Sequence, residues 1–207
     1  MSDKHMIISI GRQCGSGGHE IGEKLAARYG LKLYDRNIIE LLAEQTNSSQ
    51  EDIARLEEKR ENVLGSRKGG FAAKEKDLMN RFSKSDELFR RERALIQSIA
   101  EKESFVIVGR GANAILEDNP DILRLFVYAP EEFRIARAKE DYRLEFDSEA
   151  KKKIESTDRA RQQYFEYYTG KTWGANDHHN LSIDSSLLGI DGTVELLAYV
   201  IDRRFGL

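Results

Sequence analysis

The stretch "GRQCGSGGHEIG", residues 11–22, decides how this chain is organised. It follows an apolar run at residues 6–10, and after it Ile21, Leu25 and Ala26 are spaced for one face of a helix. Four glycines fall among its first eight residues, whereas one glycine normally suffices for a turn between a strand and a helix. The glycine content therefore favours a loop with a purpose beyond the turn.

Three interpretations of this loop are open: a plain strand-to-helix turn, a dinucleotide fingerprint of the G-x-G-x-x-G type, and a modified mononucleotide phosphate loop. The dinucleotide pattern fits Gly15 and Gly17, and Asp35 lies at a suitable distance. However, Glu20 stands where the third glycine belongs and would repel a pyrophosphate. A mononucleotide loop normally has lysine after its last glycine, and Gly18 stands there instead. Backbone N–H groups at a helix N-terminus can still surround a phosphate.

Composition limits the classes of protein to which the chain can belong. Its 207 residues are 40% hydrophobic and 33% charged, as expected for a soluble protein with one core. The formal net charge of −3 gives no global field for nucleic acid, and no apolar run approaches the roughly 18 residues of a membrane span. We therefore expect small-molecule partners, neither nucleic acid nor membrane, and a cytoplasmic location, which the lone Cys14 also favours.

Predicted strands alternate with predicted helices along the chain. The predicted strands are residues 6–10, 31–35, 104–112, 121–130 and 181–186. The predicted helices are residues 19–29, 38–43, 47–63, 86–102, 131–142, 147–168 and 193–205. This alternation predicts an α/β fold in which a doubly wound parallel sheet is flanked by helices.

Taken in order, several stretches resemble the cytidylate kinase-like family, which comprises divergent relatives of the cytidylate kinases. The stretches are "GSGGHEIGEKLA" (15–26), "LYDRNII" (33–39), "FVIVGRGA" (105–112), "LFVYAPEEFRIAR" (125–137), "STDRAR" (156–161) and "SIDSSLLGIDGTVELL" (182–197). The similarity covers most of the chain and is thin between residues 46 and 104. The ordered set carries the resemblance, rather than any single motif.

The resemblance implies a P-loop NTPase-like fold and a kinase activity. It implies one nucleoside monophosphate kinase-like domain over residues 1–207, with its core at 6–45 and 104–207. A helical substrate-binding insertion would lie at about 46–103 and a lid at about 143–172. The implied donor is ATP with Mg²⁺, and the implied acceptor is a nucleoside monophosphate, most closely CMP or dCMP.

The resemblance also assigns the donor's phosphates to the glycine loop. The candidate donor-binding residues are Arg12, Gly15, Ser16, Gly17, Gly18 and His19. Arg12 is a nearby cation that could replace the absent lysine. Glu20 stands where the family has a metal-facing threonine, so it is a candidate Mg²⁺ ligand. An acidic residue there equally suits the first turn of a helix, because it interacts well with the helix dipole.

Arginines supply the implied acceptor and transfer site. Arg110 directly follows a predicted strand, where a guanidinium can clamp the acceptor's phosphate through two parallel hydrogen bonds. Arg159 and Arg161 lie in the predicted lid and are candidates for stabilising the transferring phosphoryl group. We therefore predict these three arginines as catalytic. Asp35, Arg110 and Asp158 are the predicted substrate-binding residues, and Asp158 would act mainly by orienting the arginines.

Two departures from the family pattern leave other functions open. Gly18 replaces the lysine of the phosphate loop, and Gly111 replaces the aspartate of the family's Gly-Arg-Asp. The alternatives are a nucleotide-binding regulatory protein without turnover and a kinase for a different small acceptor. A dinucleotide-dependent oxidoreductase fits less well, because its third glycine is missing.

Overall fold

A five-stranded sheet with helices on both faces forms the protein, as seen in a computed structural model that describes residues 5–35, 37, 38, 40–42 and 75–207. The strands are β1 (Ile7–Arg12), β2 (Lys32–Tyr34), β3 (Phe105–Val108), β4 (Ile122–Tyr128) and β5 (Leu181–Asp184). The helices are α1 (Gly18–Tyr29), α2 (Glu75–Ala100), α3 (Ala112–Ile115), α4 (Glu131–Tyr142), α5 (Asp147–Thr169) and α6 (Gly189–Phe205), with a 3₁₀ turn at Asn176–His178.

The strand order is β2-β3-β1-β4-β5, and every neighbouring pair is parallel. In the middle of the sheet, Ile8 pairs with Val106 on one side and with Leu123 on the other. Since parallel strands all end at the same edge, the loops that follow β1, β2 and β3 meet there. The predicted doubly wound parallel α/β sheet is confirmed.

The side chains of the strands alternate between two buried layers, as the period of two in a strand requires. Ile8 and Ile10 face the layer covered by α1 and α6, and both are fully buried. Ile7 and Phe105 face the opposite layer, which α2 covers. Burial on both faces explains why the central strands are continuous apolar runs in the sequence.

Some element bounds differ from the sequence-based prediction. Helix α6 begins at Gly189 rather than at Thr193, because the Thr193 hydroxyl donates a hydrogen bond to the Gly189 carbonyl at 2.7 Å inside the helix. Strand β5 ends at Asp184, whose carboxylate accepts from the Ser186 N–H at 2.9 Å and turns the chain. The helix predicted at 47–63 lies outside the described residues. Among the described helices, none is long and apolar enough to span a membrane.

Helices α2 and α5 fall in the segments predicted as insertion and lid, and they touch each other. The Phe89 ring of α2 stacks on Tyr168 of α5, with 4.2 Å between ring centroids. The Tyr164 hydroxyl of α5 donates a hydrogen bond to Glu92 of α2 at 3.0 Å. Tyr164 and Tyr168 of α5 are therefore partly buried against the core, whereas Tyr167 is exposed. The division into core, insertion and lid stays a prediction.

Candidate active site

The glycine loop between β1 and α1 has a backbone shape that only glycine suits. Gly15 and Gly17 lie in the left-handed region, with φ of 75° and 76°. A Cβ on Gly15 would lie 2.5 Å from the carbonyl oxygen of Arg134, and a Cβ on Gly17 would overlap Ile190. Left-handed residues turn successive N–H groups towards one side, and the first N–H groups of α1 have no partner within the helix. The loop can therefore bind a phosphate through its backbone.

The side chain of Ser16 fastens this loop to the sheet. Its hydroxyl is fully buried, 2.8 Å from the Gln13 carbonyl and 3.1 Å from the Val127 carbonyl, to which it donates. The Ser185 hydroxyl donates to the Ser16 carbonyl at 2.6 Å. The Ser16 N–H also donates to the Gln13 carbonyl, at 3.4 Å. Ser16 therefore keeps the loop in shape through both its side chain and its backbone.

A cleft of about 730 Å³ opens beside the glycine loop at the carboxyl edge of the sheet. Its walls include Arg12, Gly15, Gly17, Gly18, His19, Glu20, Asp35, Arg137 and Arg161. The volume is in the range of small-molecule sites, and the position beyond the strand ends is where open α/β sheets bind their ligands. This cleft is the candidate active site.

Arg12 crosses the floor of the cleft at the end of β1. Its guanidinium lies against Gly109, at the end of β3, and Nη2 is 3.9 Å from a carboxylate oxygen of Asp35. Burial and the neighbouring Arg161 guanidinium lower the pKa of Arg12 to about 9, against the opposing effect of Asp35. The Arg12 guanidinium is therefore a buried positive charge that the Asp35 carboxylate offsets only in part.

Asp158 joins α4, α5 and the glycine loop. One carboxylate oxygen accepts from the Cys14 N–H at 2.7 Å, and the other accepts from Nη1 of Arg134 at 2.6 Å. Burial raises the pKa of Asp158, while the Cys14 N–H and the nearby arginines oppose the rise. Arg161 lies 3.9 Å from the same carboxylate and donates to the Arg12 carbonyl at 3.2 Å. Asp158 therefore fastens two arginines beside the loop.

The two arginines predicted for the lid lie in different surroundings. Arg161 is partly buried and lines the cleft. Arg159 is exposed on α5 and is not among the described residues of the cleft wall. Helical geometry explains the difference, because residues two positions apart do not share a helix face.

Two side chains in the first turn of α1, His19 and Glu20, also face the cleft. His19 Nδ1 is 3.1 Å from a carboxylate oxygen of Asp35. Glu20 accepts a hydrogen bond from Nη2 of Arg137 at 2.8 Å and lies 3.5 Å from Lys24 Nζ. Within the described part of the chain, no group of three acidic, histidine or cysteine side chains is placed to hold a metal ion. Glu20 fits magnesium as a single carboxylate completed by phosphate and water oxygens, which is a usual arrangement for that ion.

Arg110, which is predicted to clamp the acceptor's phosphate, is held by contacts within the protein. It has a left-handed φ of 57°, and its Nε donates to the Asp35 carbonyl at 3.2 Å. Its Nη1 donates to Glu92 at 3.2 Å, and the Glu92 side chain is only 1% exposed. Arg110 lines a separate cavity of about 60 Å³ beneath α5.

Comparison with known proteins decides the family. The sequence profile of the cytidylate kinase-like family matches residues 7–187. The chain belongs to this family. Among solved structures, this chain is similar to an uncharacterized protein from Eubacterium ventriosum ATCC 27560, with 26% identity and a TM-score of 0.70. The match covers 96% of this chain and 99% of that chain.

Two kinases share the fold of this cytidylate kinase-like protein. A shikimate kinase from Bacteroides thetaiotaomicron has 14% identity and a TM-score of 0.53, over 95% of this chain and 98% of its own. A gluconokinase from Sinorhizobium meliloti 1021 has 12% identity and a TM-score of 0.51, over 99% of this chain and 98% of its own. At these identities the likeness shows the fold alone. No curated protein matches the sequence significantly.

The family assignment confirms the resemblance found in the sequence and supports phosphoryl transfer as the class of activity.

The sequence analysis did not identify Glu92, although the sequence contains a signal for it. Glu92 lies among Leu88, Leu95 and Ile96 at the spacing of the buried face of α2. A carboxylate in such a stripe needs a buried cation or donor as partner, and Arg110 is that cation.

Proposed function

We propose that the protein is an ATP-dependent kinase that transfers the γ-phosphoryl group to a nucleoside monophosphate, with CMP or dCMP as the acceptor. One observation carries the proposal. The N–H groups of the glycine loop and the guanidinium groups of Arg12, Arg137 and Arg161 line a single cleft. Phosphoryl transfer needs little covalent help, but it needs two substrates held in line and positive charge around the transferred group.

In the donor half of the cleft, the loop N–H groups would hold the phosphates of ATP. Glu20 would turn from Arg137 towards the metal, which frees the Arg137 guanidinium to face the phosphates. Bound Mg²⁺ would supply charge neutralisation on the phosphate oxygens. Asp158 keeps the loop backbone and Arg134 fixed during these changes, because its contacts lie behind the loop.

In the acceptor half, Asp35 lies at the end of β2 and Arg161 approaches from α5. Arg161 would stabilise the transferring group, and Asp35 would orient the acceptor. The choice of CMP or dCMP rests on the family to which the chain belongs. The cytoplasmic location stays a prediction.

A kinase for a different small acceptor is the second candidate, and the surroundings of Arg110 favour it. Arg110 binds Glu92 and the Asp35 carbonyl instead of facing the main cleft. Gly111 also offers no carboxylate where the family has one. Shikimate and gluconate therefore belong among the acceptors to be tested, because kinases named for them share the fold.

The test is a direct assay of the purified protein with ATP, MgCl₂ and one acceptor at a time: CMP, dCMP, UMP, AMP, GMP, shikimate or gluconate. Anion-exchange chromatography would quantify ADP and the phosphorylated acceptor. Equal amounts of ADP and CDP or dCDP support the proposal, and a different phosphorylated product supports the second candidate. Arg161→Met serves as control, because loss of product in that variant excludes a contaminating kinase. Binding of ATP without any product would favour the regulatory alternative.

A further inference from the structure

The structure shows which side chain fills the space of the missing lysine. A Cβ on Gly18 would lie 2.5 Å from the Cβ of Arg12 and 3.0 Å from its Cγ. Both distances are shorter than carbon atoms tolerate in ordinary contacts. The stem of Arg12 therefore starts in the space through which a lysine at position 18 would leave the loop.

A second glycine makes room for the other end of the same side chain. The Arg12 guanidinium lies over Gly109, where a Cβ would overlap Nη1 and would lie 3.0 Å from Cζ. Gly109 also has a left-handed φ of 80°. Arg12 thus runs from the glycine loop to the end of β3 through a path that needs glycine at two positions.

The charges around the Arg12 guanidinium leave it short of anionic partners. Arg161 and Arg110 act on it as like charges, and Asp35 is the opposing carboxylate, 3.9 Å away. The Nε atom of Arg12 is buried and has no hydrogen-bond partner within the described residues. An anion at this point would accept that hydrogen bond and offset the repulsion between the guanidinium groups.

We propose that Arg12 replaces the lysine of the phosphate loop and binds the transferring phosphoryl group where donor and acceptor meet. This inference rests on the proposed function. The stem of Arg12 lies over the donor loop. Its guanidinium lies beside Asp35, on the proposed acceptor side, and close enough to Arg161 for the two like charges to repel. A guanidinium can donate two parallel hydrogen bonds to phosphate, whereas a lysine offers a compact point charge.

The experiment compares Arg12→Met, which keeps the stem and removes the charge, with Arg12→Lys, which restores a charge. Calorimetry would measure the Kd for inorganic tripolyphosphate, and the chromatographic assay would measure kcat. We expect Arg12→Met to raise this Kd at least tenfold and to lower kcat about 100-fold, as loss of a transition-state donor does. Arg12→Lys should recover part of the tripolyphosphate affinity and part of kcat. Arg28→Met is the matched control, because Arg28 pairs with Glu195 on the surface.

Each outcome separates the inference from the proposed function. Normal tripolyphosphate binding and normal turnover in Arg12→Met would overturn the inference and leave the proposed function standing. A wild-type protein that phosphorylates no acceptor, together with weakened tripolyphosphate binding in Arg12→Met, would refute the proposed function and support the role of Arg12. Circular dichroism checks folding. If Arg12→Met is unfolded, Arg12→Gln provides the same comparison with an uncharged polar side chain.

Discussion

Glu92 and Arg110 form an ion pair inside the protein, with Oε1 of Glu92 accepting from Nη1 of Arg110 at 3.2 Å. The second carboxylate oxygen of Glu92 accepts from the Tyr164 hydroxyl at 3.0 Å. One carboxylate therefore joins α2, the end of β3 and α5. Since α5 also carries Arg161, the network connects the predicted acceptor-binding segment with an arginine of the cleft.

Glu92→Ala should destabilise the protein strongly. It leaves the Arg110 guanidinium buried without its carboxylate, a change that typically costs about 3–5 kcal/mol. Urea unfolding followed by circular dichroism would measure the loss. Glu87→Ala is the control on the same helix, because Glu87 pairs with Arg91 at the surface and should leave the free energy of unfolding nearly unchanged. Similar unfolding midpoints for the two variants would contradict a structural role for Glu92.

The fold was predictable because its signals are local. The apolar runs of β1 and of β3, the latter at residues 105–108, predict buried parallel strands, and the glycine loop indicates the turn after β1. The bounds of α6 were less accurate, because Thr193 resembles a helix cap but bonds within the helix. Periodicity predicts that an element exists better than it predicts where the element ends.

The site was harder to predict, because its decisive contacts join residues far apart in sequence. The sequence offered Arg12 as a nearby cation, but only the fold shows that its stem excludes a side chain at Gly18. The sequence also gave no reason to pair Arg137 with Glu20 or Arg110 with Glu92. Residue types predicted the chemistry, and packing decided the partners.

Moving the positive charge from position 12 to position 18 tests whether the Arg12 side chain replaces a lysine at position 18. The double variant R12G/G18K removes the arginine stem and places a lysine where a standard phosphate loop has it. We expect its kcat to exceed that of R12G at least tenfold, because a loop cation is restored. The single variant G18K should lose activity, because its Cβ would lie 2.5 Å from that of Arg12. Unchanged activity in G18K, with no gain in R12G/G18K, would contradict this pairing.

Arg159 and Arg161 can be separated by matched substitutions on the same helix. We expect Arg161→Met to lower kcat at least ten times more than Arg159→Met, because Arg161 lines the cleft and Arg159 is exposed. Steady-state kinetics with the best acceptor would measure both variants. An equal or larger loss in Arg159→Met would show that α5 moves to bring Arg159 into the cleft during turnover.

Gly15 and Gly30 provide a matched pair for the shape of the glycine loop. Both have a left-handed φ, but a Cβ on Gly30 meets nothing within 4 Å, whereas one on Gly15 would lie 2.5 Å from the Arg134 carbonyl oxygen. Gly30→Ala should cost about 1 kcal/mol of unfolding free energy through the backbone alone. Gly15→Ala should cost at least about 2 kcal/mol, because it adds a clash with backbone. Only Gly15→Ala should also weaken ATP binding, as calorimetry would show. Equal losses of stability would mean that the loop shifts to accept a methyl group.

His179 should make part of the stability of the protein depend on pH. Its Nδ1 donates to the Ala175 carbonyl at 2.9 Å, its Nε2 accepts from the Asn113 amide at 3.2 Å, and its ring packs on Phe126. Burial lowers the pKa of His179 below its ordinary value of about 6.5. The unfolded chain therefore binds more protons than the folded one just below that pH, so the free energy of unfolding falls as the solution is acidified through this interval.

His179→Gln removes the titrating group. Urea unfolding between about pH 5.5 and pH 7.5, one unit either side of an ordinary histidine pKa, should therefore show a flatter pH dependence of the unfolding free energy than in wild type. His5→Gln is the control, because His5 lies on a different part of the surface, where its Nε2 contacts the Glu101 carbonyl. That variant should keep the wild-type slope. A slope unchanged in His179→Gln would mean that protonated His179 is accommodated in the folded protein, with the ring turned away from Asn113.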